Sequence, residues 1–141
     1  MQTESNIKPT SNFEIEEHAN KKCDVLFYTN IEETTRDDET IYTYDFYRLS
    51  MRTRDNLQEK IEADYDTWLE VAKTQEENKL ATEIREKRDK LLSNTDWTQM
   101  QDTALSDEKV EEYKIYRQAL RDITTQDNFP YKVEFPSKPS E

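Results

Sequence analysis

Glycine is absent from all 141 residues. That excludes the Gly-rich loops that cradle phosphates, both the P-loop and the dinucleotide-binding fingerprint. It also rules out tight two-residue hairpin turns of the Asn-Gly kind, leaving turns to Asn, Asp and Pro. Cysteine occurs once, at Cys23, so no internal disulfide and no cysteine-based zinc site can form. Histidine also occurs once, at His18. A Cys–His nucleophile pair needs an orienting group and an oxyanion site, and nothing near these two residues suggests either. They read as solvated neighbours. No apolar run approaches the roughly 20 residues that span a bilayer, and the opening MQTESNIKPT lacks the apolar centre of a signal peptide. Residence in a cytoplasm is the expectation.

Basic character is scarce too: 20 Lys and Arg stand against 32 Asp and Glu, a formal charge of −12. Residues 1–50 hold 11 acids and 5 bases, residues 51–104 hold 13 and 9, and residues 105–141 hold 8 and 6. A nucleic-acid binder needs a basic footprint to displace counterions, and none is visible, so neither nucleic acid nor an anionic membrane is an expected partner. Acidity of this kind suits solubility and a basic partner surface. The acids Glu32, Glu33, Asp37, Asp38 and Glu39 lack the spacing and the glycine of a calcium loop, and read as a charged loop. No metal, cofactor or catalytic residue is expected, and the chain does not read as an enzyme.

What is present points to a thin but real core. Apolar residues make up 33% of the chain, below the roughly 45–50% usual for globular domains. Eight Tyr, five Phe and two Trp are nevertheless too many for a disordered tail. Residues 1–11, polar and holding Pro9, read as a flexible arm. Over 12–51 the apolar period is two: Phe13 and Ile15, then CDVLFYTNI (23–31) and IYTYDFYRL (41–49), joined by the acidic connection 32–39. The two longer runs are expected to pair as an antiparallel hairpin. Tyr42, Tyr44 and Phe46 share one face, which reads either as a core face or as an exposed docking surface.

Near Met51 the period becomes helical. Leu57, Ile61, Tyr65, Trp68 and Ala72 form one apolar stripe, which fades through 74–78 and resumes at Leu80, Ile84, Arg88 and Leu91. Residues 52–93 therefore read as a helical connector: one helix of roughly 60 Å at about 1.5 Å per residue, or a helical pair broken near 74–78. With no Pro or Gly to break it, the single helix is preferred. A stripe this narrow leaves apolar area for a second copy or an obligate partner. Residues 94–141 read as a separate module. SNTDW (93–97) ends the helix, Ser106 caps a second one running to about residue 123, and Pro130, Pro136 and Pro139 impose an extended tail. The fold class is α+β.

The segment 85–139 carries ordered motifs: R-x-x-R-D-x-L-L, T-D-W, Y-R-Q-A-L-R-D-I, F-P and F-P-x-x-P. This pattern closely resembles the C-terminal module of phage and prophage tail assembly chaperone-like proteins, with a looser similarity to tail fibre assembly proteins. Two positions depart from it, Tyr113 and Phe135 standing where Trp is often found, and both keep an aromatic ring. The β-rich beginning is similar to the leader of related tail proteins. The resemblance implies a non-catalytic protein that binds phage tail, baseplate or fibre proteins, in the virion or in the host cytoplasm during assembly. A tail fibre chaperone absent from the virion is an alternative, and a phage protein engaging host defence machinery another.

Each motif also has a purely structural reading. Trp97 is expected to be buried against the helix bearing Tyr116 and Leu120, with Thr95 or Asp96 bonding free backbone N–H groups. Arg85 and Arg88, like Arg117 and Arg121, share a helix face and are expected to pair with Asp89, Asp96 or Asp122, or else to meet a partner. Phe129, Pro130, Phe135 and Pro136 are expected to lie as a strip across Trp97 and the second helix.

Overall fold

A computed structural model describes residues 1–140. In chain order it contains strands β1 (Gln2–Ser5), β2 (Phe13–His18), β3 (Lys22–Arg36) and β4 (Glu39–Arg52), then helices α1 (Leu57–Ala63), α2 (Tyr65–Ser93) and α3 (Asp107–Arg121). Single 3₁₀ turns occupy Asp96–Gln99 and Asp122–Thr125. The fold is α+β. Two compact units divide within α2, Met1–Glu76 and Glu77–Glu141.

In the first unit the four strands form one antiparallel sheet in the order β1-β4-β3-β2. The stretch expected as a flexible arm supplies β1: Gln2–Ser5 pairs with Tyr42–Asp45. Its alternation is too polar to announce a strand, but an edge strand needs only a partner's free backbone groups. The β3–β4 connection is shorter than the acidic loop expected over 32–39. Glu32 to Arg36 pair with Glu39 to Thr43, leaving only Asp37 and Asp38 as the turn. Both have positive φ, 52° and 64°, the requirement of a type I′ turn. Asp meets it without glycine because its short polar side chain tolerates the left-handed region. Asn30, at φ 52°, sits in a register shift between Thr29 and Glu32.

The unit's main hydrophobic cluster lies on one face of the sheet, with Leu26 buried on the other. Phe13 of β2, Cys23, Val25 and Phe27 of β3, and Leu49 of β4 pack with Leu57, Ile61, Leu69 and Ala72 of the helices. Tyr47, Met51, Tyr65 and Trp68 border them. Phe27 and Ile61 are wholly buried, and burial of each such side chain contributes about 1.5–3 kcal/mol. The apolar stripe Leu57, Ile61, Tyr65, Trp68, Ala72 is thus used inside the unit. It no longer supplies a reason for self-association. Tyr42, Tyr44 and Phe46 fall on the opposite face, half-buried, with Tyr44 and Phe46 in ring contact with Tyr28. The core reading of those three is corrected: strand alternation assigns the core to Tyr47, Leu49 and Met51 instead.

The helical region begins later than residue 52, because β4 runs to Arg52 and Asn56 precedes α1 in a left-handed conformation. It is interrupted at Asp64, where φ is −144° and ψ 50°. Through 74–78, where a break was conceivable, α2 is continuous. The Gln75 amide accepts from Ser50 N at 2.9 Å and donates to Ser50 O at 3.2 Å, mimicking a strand on the free edge of β4.

In the second unit Tyr113, Tyr116 and Leu120 of α3 pack with Leu91, Leu92, Leu105 and Phe135. Ser106 caps α3 by accepting from Lys109 N, and Asp107 and Glu108 occupy the positive end of the helix dipole. Residues 133–140 carry no helix or strand. Gln126 anchors them by donating to Glu134 O at 2.8 Å and accepting from Glu134 N at 2.9 Å. No described helix is long and apolar enough to cross a membrane.

Candidate partner-binding surface

Three of the motifs of 85–139 meet at one buried cation. A helix leaves its last carbonyls without intrahelical donors, and near a C-terminus those carbonyls favour positive charge. Arg117 of α3 answers this at the end of α2, placing Nη1 2.6 Å from Leu92 O. The same nitrogen donates to Thr95 Oγ1 at 2.9 Å, and Nη2 donates to Asp96 Oδ1 at 2.7 Å. The Thr95 hydroxyl is shared between the Leu91 and Leu92 carbonyls, at 2.9 and 3.1 Å. The Arg117 side chain keeps only 9% of its surface exposed, while Asp96 keeps 65%. A planar guanidinium can serve three acceptors at once, which an ammonium cannot do in fixed geometry. The Arg of Y-R-Q-A-L-R-D thereby fixes the T-D-W turn to both helices.

This arrangement corrects two expectations. Thr95 and Asp96 do not bond free N–H groups of a following helix: the 3₁₀ turn has no side-chain cap. They receive Arg117 instead. Trp97 is not buried either, with 48% of its surface exposed. In a 3₁₀ turn, residues three apart eclipse. Thr95 and Thr98 are the pair that points inward, 3% and 0% exposed, with Thr98 Oγ1 donating to Thr95 O at 2.6 Å. The residue between Asp96 and Thr98 must then face outward. Trp97 is nonetheless held in place: its Nε1 donates to Asn94 O at 3.2 Å, and its ring lies 6.2 Å from the buried ring of Tyr113. Met100, whose backbone N donates to Trp97 O, is also exposed.

The other candidates are accounted for locally. Arg85 stacks over Phe129 at 5.5 Å, Lys87 over Phe135 at 4.1 Å, and Arg88 pairs with the adjacent Asp89 at 2.7 Å. Tyr116 is buried, and that burial raises its phenol above the ordinary range, with Tyr113 adding to the shift. Pro130 is buried, Phe129 is half-buried, and Arg121 is exposed, so the Arg117–Arg121 pair divides between interior and solvent. Phe135 packs against the Tyr113–Tyr116–Leu120 cluster. Pro136 and Pro139 line a shallow apolar depression with Ile115, Tyr116, Ala119 and Glu112. Sequence reasoning missed Thr98, Met100 and Ile115. Ile115 carried a signal: it is an apolar residue out of phase with the Tyr113–Tyr116–Leu120 face, and it is 65% exposed.

In the first unit, Tyr44 and Phe46 form an aromatic patch with Tyr28, whose phenol is pushed up to about 12 by burial and by Glu14. His18 and Cys23 are not solvated neighbours. Cys23 is buried on the helix-covered face, while the His18 ring on β2 bonds the Asp24 carboxylate at 3.1 Å. Glu16, His18 and Asp24 come within 4.8 Å of one another, but Arg48 already stands 3.5 Å from Asp24. Ser50, outweighing the effect of burial, and then His18 and Arg48 hold that carboxyl below the usual range.

Residues 81–140 match the family model for phage tail assembly chaperone protein. The match takes in the second part of α2, the T-D-W turn, α3 and the Pro-containing end, the span in which the motifs were read. It supports a role in phage tail assembly. The chain matches no curated protein and no solved structure.

Proposed function

We propose that the protein is a non-catalytic assembly factor that binds other tail, baseplate or fibre proteins while a phage tail is being built. In this reading the exposed Trp97, with Met100 beside it, is the central contact. The observation that carries it is Trp97 itself, half-exposed yet pinned at both ring and Nε1 within the family-matched segment. A large aromatic held rigidly in water loses little conformational entropy on docking, which is the character of an interface hot spot. The Arg117 network is the support that presents it. Chaperone action implies release, so the chain is expected in infected-cell lysates and absent from finished virions.

The test is co-purification of the full chain with the products of a co-expressed tail gene cluster, comparing the native chain with Trp97→Ala. The expected result is loss of captured tail protein by a variant that still unfolds cooperatively, well above the assay temperature. Retention of the partner by Trp97→Ala, or unfolding of the variant, would overturn the reading. Mass spectrometry of purified virions decides the fate of the chain, and a fixed stoichiometric copy number would make it a structural component.

A further inference from the structure

The far half of the β3–β4 hairpin has no strand on its β3 side, and its tip, Thr34–Arg36 with Glu39–Ile41, is a bare two-stranded ribbon. β2 pairs with β3 only over Lys22–Phe27, and β1 with β4 only over Tyr42–Asp45. Every residue from Asn30 to Thr40 is exposed. A two-stranded ribbon without a core is marginal in water and gains from a third strand. Other stretches of sheet edge are covered: Gln75 bonds both backbone groups of Ser50, and Met1 exchanges hydrogen bonds with Phe46. The edge of β3 from Asn30 to Arg36 has no such cover, and beyond the register shift at Asn30–Ile31 the regular stretch Glu32–Arg36 is long enough for strand addition.

The side chains there specify the occupant. Residues 30–40 hold Glu32, Glu33, Asp37, Asp38 and Glu39 against the single base Arg36, which sits 3.7 Å from Glu4. Among the described residues neither Glu32 nor Glu33 has an ion-pair partner. The charge extends beyond the ribbon: residues 1–76 hold 18 acids and 9 bases, a net −9 of the chain's −12. A second copy aligned on this edge would bring like charges together, which disfavours self-pairing. Consecutive strand residues point to opposite faces, so Glu32 and Glu33 project on either side of the sheet. Two adjacent basic residues in an added strand answer both. The outer edge of β2 is open as well, but that strand is anchored in the core through Phe13, and its Glu14 accepts from Tyr28.

We infer that the β3 edge Asn30–Arg36 binds an extended segment of a partner protein that carries a Lys-Arg pair among β-branched residues, added as a further strand. This surface lies in the first unit and does not depend on Trp97.

The probe is the peptide Thr-Val-Lys-Arg-Val-Thr-Val titrated into the isotopically labelled full chain, with backbone amide shifts as the readout. The expected outcome is saturable shifts confined to Asn30–Arg36 and the facing residues of β4. Replacing Lys-Arg by Glu-Glu in the peptide should abolish them. N-methylation of alternate peptide nitrogens, which keeps the charge and removes one hydrogen-bonding edge, should weaken binding at least about tenfold. The exposed substitutions Glu32→Lys with Glu33→Lys should do the same, and Glu32→Gln with Glu33→Gln should have a smaller effect in the same direction. Undiminished binding of the N-methylated peptide would show charge attraction without strand addition and overturn the inference. Shifts centred on Phe13–His18, or loss of the shifts to chain dimerisation, would overturn it equally. Trp97→Ala should leave this binding unchanged, so its failure and that of the Trp97 reading are separable.

Discussion

Replacing Arg117 by Met removes the group that joins α2, the T-D-W turn and α3 while keeping most of its apolar volume. Three hydrogen bonds disappear, at 2.6, 2.9 and 2.7 Å. Bonds from a charged donor contribute about 1.5–3 kcal/mol each, but the three are not equal. Asp96 is 65% exposed and regains water, so its share is that of a surface pair, at most about 1 kcal/mol. Thr95 keeps its bonds to the Leu91 and Leu92 carbonyls, and Leu92 O keeps a 3.1 Å bond from Thr95 N. Against these losses stands the relief of no longer burying a guanidinium. The balance is a destabilisation of about 2–4 kcal/mol, a large part of what holds a small unit folded. The assay is urea unfolding of the full chain followed by tryptophan fluorescence in a Trp68→Phe background, so that Trp97 alone reports. Arg117→Lys should recover little, because one ammonium cannot reach all three acceptors. Arg121→Met, at an exposed position, should stay within about 0.5 kcal/mol of the native chain. If Arg117→Met also stays within that margin, or Arg117→Lys behaves as native, the network is not what organises this unit.

Leu120→Ala empties a wholly buried site in the second unit and should cost about 2–5 kcal/mol in the same unfolding experiment. Trp97→Ala, by contrast, should cost only about 1–2 kcal/mol, because about half of its surface is already in water. At alkaline pH the first unit should weaken: Tyr28 ionises near 10 in the unfolded chain and about 12 in the fold, so stability is lost as pH rises from the first value to the second. Tyr28→Phe should flatten that limb of a pH titration of chemical stability. At acid pH the sign reverses for Asp24, whose folded carboxyl is depressed. Its contribution is present above the ordinary carboxylate range, is lost as pH falls through the depressed value, and should be missing in Asp24→Asn.

The sheet was legible where alternation was strong. Runs 23–31 and 41–49 became β3 and β4 because β-branched and aromatic residues recur at period two with no competing helical stripe. The turn escapes a rule based on glycine, because Asp37 and Asp38 adopt positive φ at a modest conformational cost. β1 was invisible for a different reason. An edge strand is selected by its neighbour's backbone, which no pattern within Gln2–Ser5 records. The face of Tyr42, Tyr44 and Phe46 was read correctly as shared but could not be oriented. Period two says which residues travel together, and only the packing of Phe27 on Ile61 and Tyr65 decides which set is inside.

The same limit explains Trp97, and it bears on how motifs are weighed. A Trp beside Thr and Asp suggests an anchor in a capped turn, since large aromatics dominate cores. The sequence contained a competing centre, however: an Arg placed one position after Tyr116 on the apolar face of α3. An Arg on that face must find acceptors, and the nearest unsatisfied ones are the last carbonyls of α2 together with the Thr-Asp that follows. Once Arg117 claims Thr95 and Asp96, the 3₁₀ turn's own geometry turns Trp97 outward. The motif is therefore ordered around its cation, and its largest apolar group is left half in water. A segment built only for stability would bury that ring. That it is held still and left accessible is the physical reason for reading the turn as a contact surface.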